Sequence, residues 1–206
     1  MRLRPPPPIL KGLHNSAQGW TAVPRPRRSY PGKRPETPST LKAVASSALA
    51  AHPRGMPQSL AKIIVHTVFS TKERRPFLRD RALREELHRY LGGILSHLDC
   101  QPIIVGGVED HVHLLATLSR TRQPSEMVKE VKRGSSLWIK ERDQTLGDFG
   151  WQNGYGVFSL GFSQIKEVRN YIAGQEDHHR QASFQEEFRG LLRRYEIAFD
   201  ERYVWD

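Results

Sequence analysis

The sequence has 206 residues, 37% of them hydrophobic and 26% charged, with a formal net charge of +10 and a pI near 10.0. That length suits one medium domain with a real core plus a less compact segment. A single cysteine, Cys100, excludes an internal disulfide and a cysteine-based zinc site and fits a reducing cytoplasm, and no apolar run approaches the ~18 residues of a membrane span.

The basicity is local. Residues 1–55 hold ten Lys or Arg against one acid, Glu36, and ten of the 14 prolines, so this stretch is expected to be a disordered, basic, Pro-rich extension. Residues 56–206 carry 22 Lys or Arg against 21 Asp or Glu, so overall charge says nothing about what the folded part binds. Met56 is either the true translation start or the end of a genuine tail that helps hold nucleic acid, and the sequence leaves both readings open.

From Leu60 to Phe69 the run LAKIIVHTVF is rich in β-branched and aromatic residues, which predicts a strand. Residues 80–98 follow as a helix capped by Asp80, with Leu83, Leu87, Leu91, Ile94, Leu95 and Leu98 recurring at three and four residue spacing. Residues 101–108 and 111–118 are separated only by Glu109-Asp110 and read as an antiparallel hairpin. A second helix fits 124–141, opened by Pro124 and carrying Met127, Val128, Val131, Leu137 and Trp138 as its apolar set. Residues 155–161 read as a fourth strand. Ser163 is placed to cap a third helix running to about His178, and a last helix spans about 183–195, with Tyr203 and Trp205 tucking the C-terminus down.

The order is that of an α+β ferredoxin-like βαββαβα sandwich, with a four-stranded antiparallel sheet, two helices on one face, and the other face left uncovered by them with the Tyr171 helix near it. Alternation along the third strand puts Val112, Leu114, Ala116 and Leu118 on the helix-covered side and His111 and His113 on the free side. Two imidazoles at that spacing suit one divalent ion. On the third helix Tyr171 and Gln175 lie one turn apart, beside a stripe of Ile165, Val168 and Ile172. A tyrosine hydroxyl can attack a phosphodiester and keep the broken bond's energy in a covalent link, with a metal polarising the phosphate.

These residues resemble the single-tyrosine HUH transposases, which include the REP-associated tyrosine transposases. The resemblance covers nearly all of 56–206. It is carried by MPQSLAKIIVHTVFSTKERRPF, by His111-Val112-His113 within GGVEDHVHLL, by WQNGYGVFSLGFS with VRNYIAGQEDHH, and by FQEEFRGLLRRYEIAFDERYVW. It implies Tyr171 as nucleophile, His111 and His113 as metal ligands with Gln175 as the third, and Mg2+ or Mn2+ as the metal. It also implies a homodimer that nicks and joins hairpin-marked single-stranded DNA in transposition through a 5′-phosphotyrosine, and a cytoplasmic, nucleoid-associated bacterial protein.

Two departures from the family pattern stand out: Gly174 falls inside the nucleophile helix, and the segment before Met56 lies outside the resemblance. Lys72, Arg75, Lys132 and Arg133 are candidates for phosphate contacts, and Trp138 or Trp151 for base stacking. His66 reads as structural and His178 and His179 as helix-end caps. Two other functions fit part of the pattern. One is a noncatalytic ferredoxin-like nucleic-acid-binding module, which requires aromatics on an open sheet face. The other is a domesticated transposase that processes chromosomal palindromes.

Overall fold

A computed structural model describes residues 60–205, so the expectations for 1–55 and for Met56 fall outside the described residues. The strands are β1 (Ile63–Ser70), β2 (Pro102–Gly107), β3 (His111–Leu118) and β4 (Gly156–Leu160), and the helices are α1 (Arg81–His97), α2 (Pro124–Arg142), α3 (Ile165–Ala173), α4 (Gln175–His179) and α5 (Phe184–Arg194). The sheet order is β2-β3-β1-β4 with every neighbour antiparallel. This is the expected ferredoxin-like arrangement, with the long central strands β1 and β3 paired from Ile63–Leu118 to Ser70–His111.

Local chemistry explains the elements. Asp80 accepts from the backbone N–H groups of Ala82 and Leu83 and so caps α1, whose Leu87, Leu91 and Leu95 are all fully buried. Pro124 opens α2, where its missing N–H costs nothing. Met127, Val128, Val131 and Ile139 of α2 are buried, whereas Leu137 is 56% exposed; it belongs to the outer face, and Ile139 takes the core position instead. Together α1 and α2 cover one sheet face through Val65, Phe69, Val112, Leu114 and Ala116.

The second face carries the Tyr171 helix as expected, and more cover besides. It is not free: α3 packs on it through Val168 and Ile172 against Ile64 and Leu115, and α5 packs through Phe184, Phe188, Leu191 and Leu192 against Val68 and Phe158. Two glycines allow that coverage. A side chain on Gly106 would lie 2.7 Å from Ile172 Cγ2 and 2.9 Å from its carbonyl oxygen, and one on Gly156 would lie 2.7 Å from the Phe188 ring. Each glycine lets a helix close on the sheet.

The helix carrying Tyr171 is also shorter than the sequence suggests. It ends at Ala173, Gly174 forms the break, and Gln175–His179 is a separate short helix. Its entry is closed by Gln164, whose side-chain oxygen accepts from Gly161 N–H at 2.8 Å, and not by Ser163. At the C-terminus Trp205 packs on Phe188 while Tyr203 is 74% exposed, so only the first of the expected anchors holds. Among the described residues no helix is long and apolar enough to cross a membrane.

Candidate active site

Pairing places His113 opposite Val68 on β1 and Gly106 on β2, and places His111 opposite Ser70. Both imidazoles therefore point to the second face, as the alternation requires, but α3, α4 and α5 enclose them and both are fully buried. Because Gly106 sits beside His113 and admits the backbone of Ile172, the neighbouring Tyr171 comes to rest with its ring centroid 5.9 Å from that of His113, edge on. Gln175, one residue past the break, is 1% exposed, and its Oε1 lies 3.3 Å from His111 Nε2. Arg84 of α1 steadies α4 through a 2.7 Å ion pair with the adjacent Glu176. Thus the four residues singled out by sequence, Tyr171, His111, His113 and Gln175, meet in one place within one chain.

At their centre stands a residue the sequence reading passed over. Glu187 of α5 is 7% exposed. The Tyr171 hydroxyl donates to its Oε1, the Gln175 amide donates to the same oxygen at 3.0 Å, and His113 Nε2 lies 3.2 Å away. Its Oε2 faces His179 Nε2 at 3.3 Å and His111 Nε2 at 3.6 Å. A signal for it existed: Phe184, Phe188 and Leu191 mark the buried stripe of α5, and Glu187 occupies the same stripe, where an acid is out of place unless paired.

Three further side chains brace the cluster. Asp110 Oδ1 lies 2.7 Å from His111 Nδ1, so the ring's N–H is held there and its Nε2 lone pair is turned inward. His66 Nε2 lies 3.0 Å from His113 Nδ1, in a stacked pair, which agrees with a structural role for His66. His179 was expected only to cap a helix end; its ring lies 4.4 Å from that of His111 and it faces Glu187, so it belongs to the site. His178 borders Tyr171 at 5.1 Å. Tyr171, His178 and His179 are partly exposed, and they form the rim through which the buried floor meets solvent.

Burial sets the charge states. It lowers His66 to about 4 and His113 well below the usual imidazole range, so both are neutral at pH 7. Burial, together with the adjacent Glu187 charge and hydrogen bond, pushes the Tyr171 hydroxyl up, so the resting phenol keeps its proton. Glu187 is held below the usual carboxylate range, burial acting against this and the surrounding imidazoles and the hydrogen bonds from His179 and Tyr171 acting for it.

Imidazoles, an amide oxygen and a carboxylate form a donor set for a divalent cation, and the ligand atoms of His111, His113 and Glu187 all lie within 4.8 Å of one another. The cluster fits such an ion for a second reason. His113 Nε2 is buried with no hydrogen-bond partner, because its approach to Glu187 is not aligned as a hydrogen bond.

The basic residues are placed elsewhere. Lys132 and Arg133 lie on α2, across the sheet from the cluster. Lys132 donates to the carbonyls of Gln152, Asn153 and Gly154 at 2.8, 3.2 and 2.6 Å, which fastens that loop, and Arg133 pairs with Glu130. Arg75 pairs with Asp148 at 2.6 Å, and Lys72 is exposed in the turn after β1. Trp151 is a core residue whose indole N–H donates to Ser135, so it offers no stacking surface, whereas Trp138 stacks on Tyr90 at the outer surface between α1 and α2. The covered second face likewise removes the open platform that a base-stacking ferredoxin-like module needs.

Solved structures and one family model match the chain. The chain is similar in fold to a protein of Deinococcus radiodurans R1 solved as a candidate transposase, with 21% identity, 59% of this chain and 97% of that chain covered, and a TM-score of 0.48. It is also similar to a REP-associated tyrosine transposase bound to a REP hairpin, with 13% identity, coverage of 62% and 73%, and a TM-score of 0.42. No curated relative matches the chain. The family model described as IS200-like transposase matches residues 59–175, more than half of the chain and the whole stretch from β1 to Gln175. The chain therefore belongs to the IS200-like transposase family.

Proposed function

We propose that the chain is a metal-dependent DNA transposase that nicks and rejoins hairpin-marked single-stranded DNA through a 5′-phosphotyrosine on Tyr171. The observation that carries this reading is the convergence of one tyrosine hydroxyl with two buried imidazoles and an amide oxygen. His111, His113 and Gln175 would hold the ion, Mg2+ or Mn2+, which when bound polarises the scissile phosphate and offsets charge developing on it. The remaining work falls to the chain. Asp110 and His66 each engage Nδ1 of the imidazole they touch, His111 and His113, which orients both rings so that each Nε2 faces inward. The hydrogen bond to Glu187 aims the Tyr171 oxygen at the place where a phosphate meets the His floor. As the Tyr171 oxygen bonds to phosphorus the phenolic proton passes to Glu187, which accepts its hydrogen bond, and the bond from phosphorus to the 3′ oxygen breaks. The 3′ oxygen takes up a proton and departs as a hydroxyl that can later reverse the reaction.

The test is an adduct. Wild-type protein incubated with labelled single-stranded hairpin oligonucleotides and Mg2+ gives a denaturation-resistant protein–DNA species, and mass spectrometry places the phosphate on Tyr171. Tyr171→Phe, which removes one oxygen and keeps the ring, binds the oligonucleotide and forms none. Cleavage with no adduct would replace the tyrosine with metal-activated water, and an adduct on another residue would overturn the assignment. In this structure Tyr171 reaches the histidines of its own chain, so the proposed homodimer is not needed to assemble the site. Light scattering on the full chain, alone and with DNA, tests the dimer.

A further inference from the structure

We infer that Glu187, from the helix that follows the family-matched region, is a protein ligand to the divalent cation alongside His111, His113 and Gln175. The inference rests on the metal site proposed above and adds to it a carboxylate from α5, outside residues 59–175.

Three observations converge. The first is proximity: the Glu187 carboxylate lies 3.2 Å from His113 Nε2 and 3.6 Å from His111 Nε2, and the three ligand atoms fit within the span of one ion's coordination sphere. The second is an unmet electrostatic need. Glu187 is buried among a phenol, an amide and three imidazoles, none of them a permanent cation. A carboxylate removed from water without a counter-charge is strongly disfavoured, and a divalent cation at this point supplies that charge. The third is the orientation of His113. With its Nδ1 engaged by His66, the neutral ring turns Nε2 toward a carboxylate oxygen with no hydrogen bond between them. A buried ring nitrogen left without a hydrogen-bond partner beside a carboxylate oxygen is where a shared cation would be held. A carboxylate also changes what the site holds, because two imidazoles and an amide leave both charges of the ion uncompensated in a buried position, whereas Glu187 cancels one. Oε1, the oxygen that faces His113 Nε2, also accepts the Tyr171 hydrogen bond, so a single side chain ties the nucleophile to the metal.

The experiment measures Mn2+ binding directly, without DNA or turnover. Full-length wild type, Glu187→Gln, Glu187→Asp and His113→Ala are titrated with Mn2+ by calorimetry and by electron paramagnetic resonance, with circular dichroism as the check on folding. Wild type binds one Mn2+. Glu187→Gln, nearly isosteric but neutral, weakens binding by at least tenfold, and the Mn2+-induced rise in unfolding temperature shrinks with it. Glu187→Asp keeps the charge on a shorter arm and binds with intermediate affinity, which separates loss of a ligand from loss of structure. If His113→Ala abolishes binding while Glu187→Gln and wild type bind alike, Glu187 is not a ligand and the histidine site stands. If wild type binds no Mn2+ at all, the histidine site fails and the inference fails with it.

Discussion

The two faces of the sheet carry the same kind of cover and do opposite work. Beneath α1 and α2 the sheet presents Val65, Phe69, Val112, Leu114 and Ala116, and the layer is apolar and closed. Beneath α3, α4 and α5 it presents His66, His111 and His113 between two separate apolar patches, and the helices return Tyr171, Gln175, His179 and Glu187 to meet them. The first face holds the fold together by burying area. The second gives up part of that burial to gather ionisable and ligating groups. One strand, β3, serves both layers because its side chains alternate.

The largest expected contrast comes from one substitution on each face. Leu91→Ala, on the apolar side, lowers the unfolding free energy by about 3 kcal/mol in urea denaturation while the protein that remains folded keeps its nicking activity. His113→Ala, on the site side, reduces nicking of a hairpin oligonucleotide to background with a smaller loss of stability. A His113→Ala protein that still nicks would erase the functional side of the contrast.

Gly106→Ala tests how tightly α3 must sit. The added carbon meets Ile172 at 2.7 and 2.9 Å and displaces the helix that carries Tyr171. A shift of about 1 Å in a nucleophile costs on the order of a hundredfold in rate, so single-turnover adduct formation falls by about that much. Gly93→Ala, where nothing lies within 4 Å, is the control and leaves the rate unchanged. Equal rates for the two variants would mean that the approach of α3 does not set the position of Tyr171.

The smallest effect is in acid. His66 has its folded-state value lowered to about 4 by burial, so between that pH and about 6.5 the unfolded chain binds a proton that the folded chain does not. Stability is therefore full above about 6.5 and declines as pH falls through that window. His66→Gln removes one titrating group, and in chelator it flattens the slope of unfolding free energy against pH by up to about 1.4 kcal/mol per pH unit. An unchanged slope would show that His66 does not titrate between the two states.

Several elements were legible because local chemistry specifies them. Asp80 followed by leucines at helical spacing marked α1 to within a residue at each end, and the two-residue Glu109-Asp110 link marked the β2–β3 hairpin. Other features were not, since they depend on distant partners. Gly174 breaks the tyrosine helix because the chain must turn to lay α4 against the site, and Leu137 faces water because α1 meets α2 on a different stripe. His179 looked like a cap by position and became a site residue only when His111 was brought within 4.4 Å.

The sequence by itself determined the order of elements and the shared face of His111 and His113, because these follow from periodicity within one segment; Tyr171 and Gln175, on either side of the break at Gly174, meet through Glu187. Only the tertiary structure decided that the second face is covered, that both imidazoles are fully buried, and that an acid on α5, 74 residues beyond His113, stands between them and the tyrosine hydroxyl. Periodicity shows which way a side chain points relative to its own backbone. Which helix comes to lie over it is settled by close approaches such as those at Gly106 and Gly156, where the absence of a single carbon atom admits the covering layer.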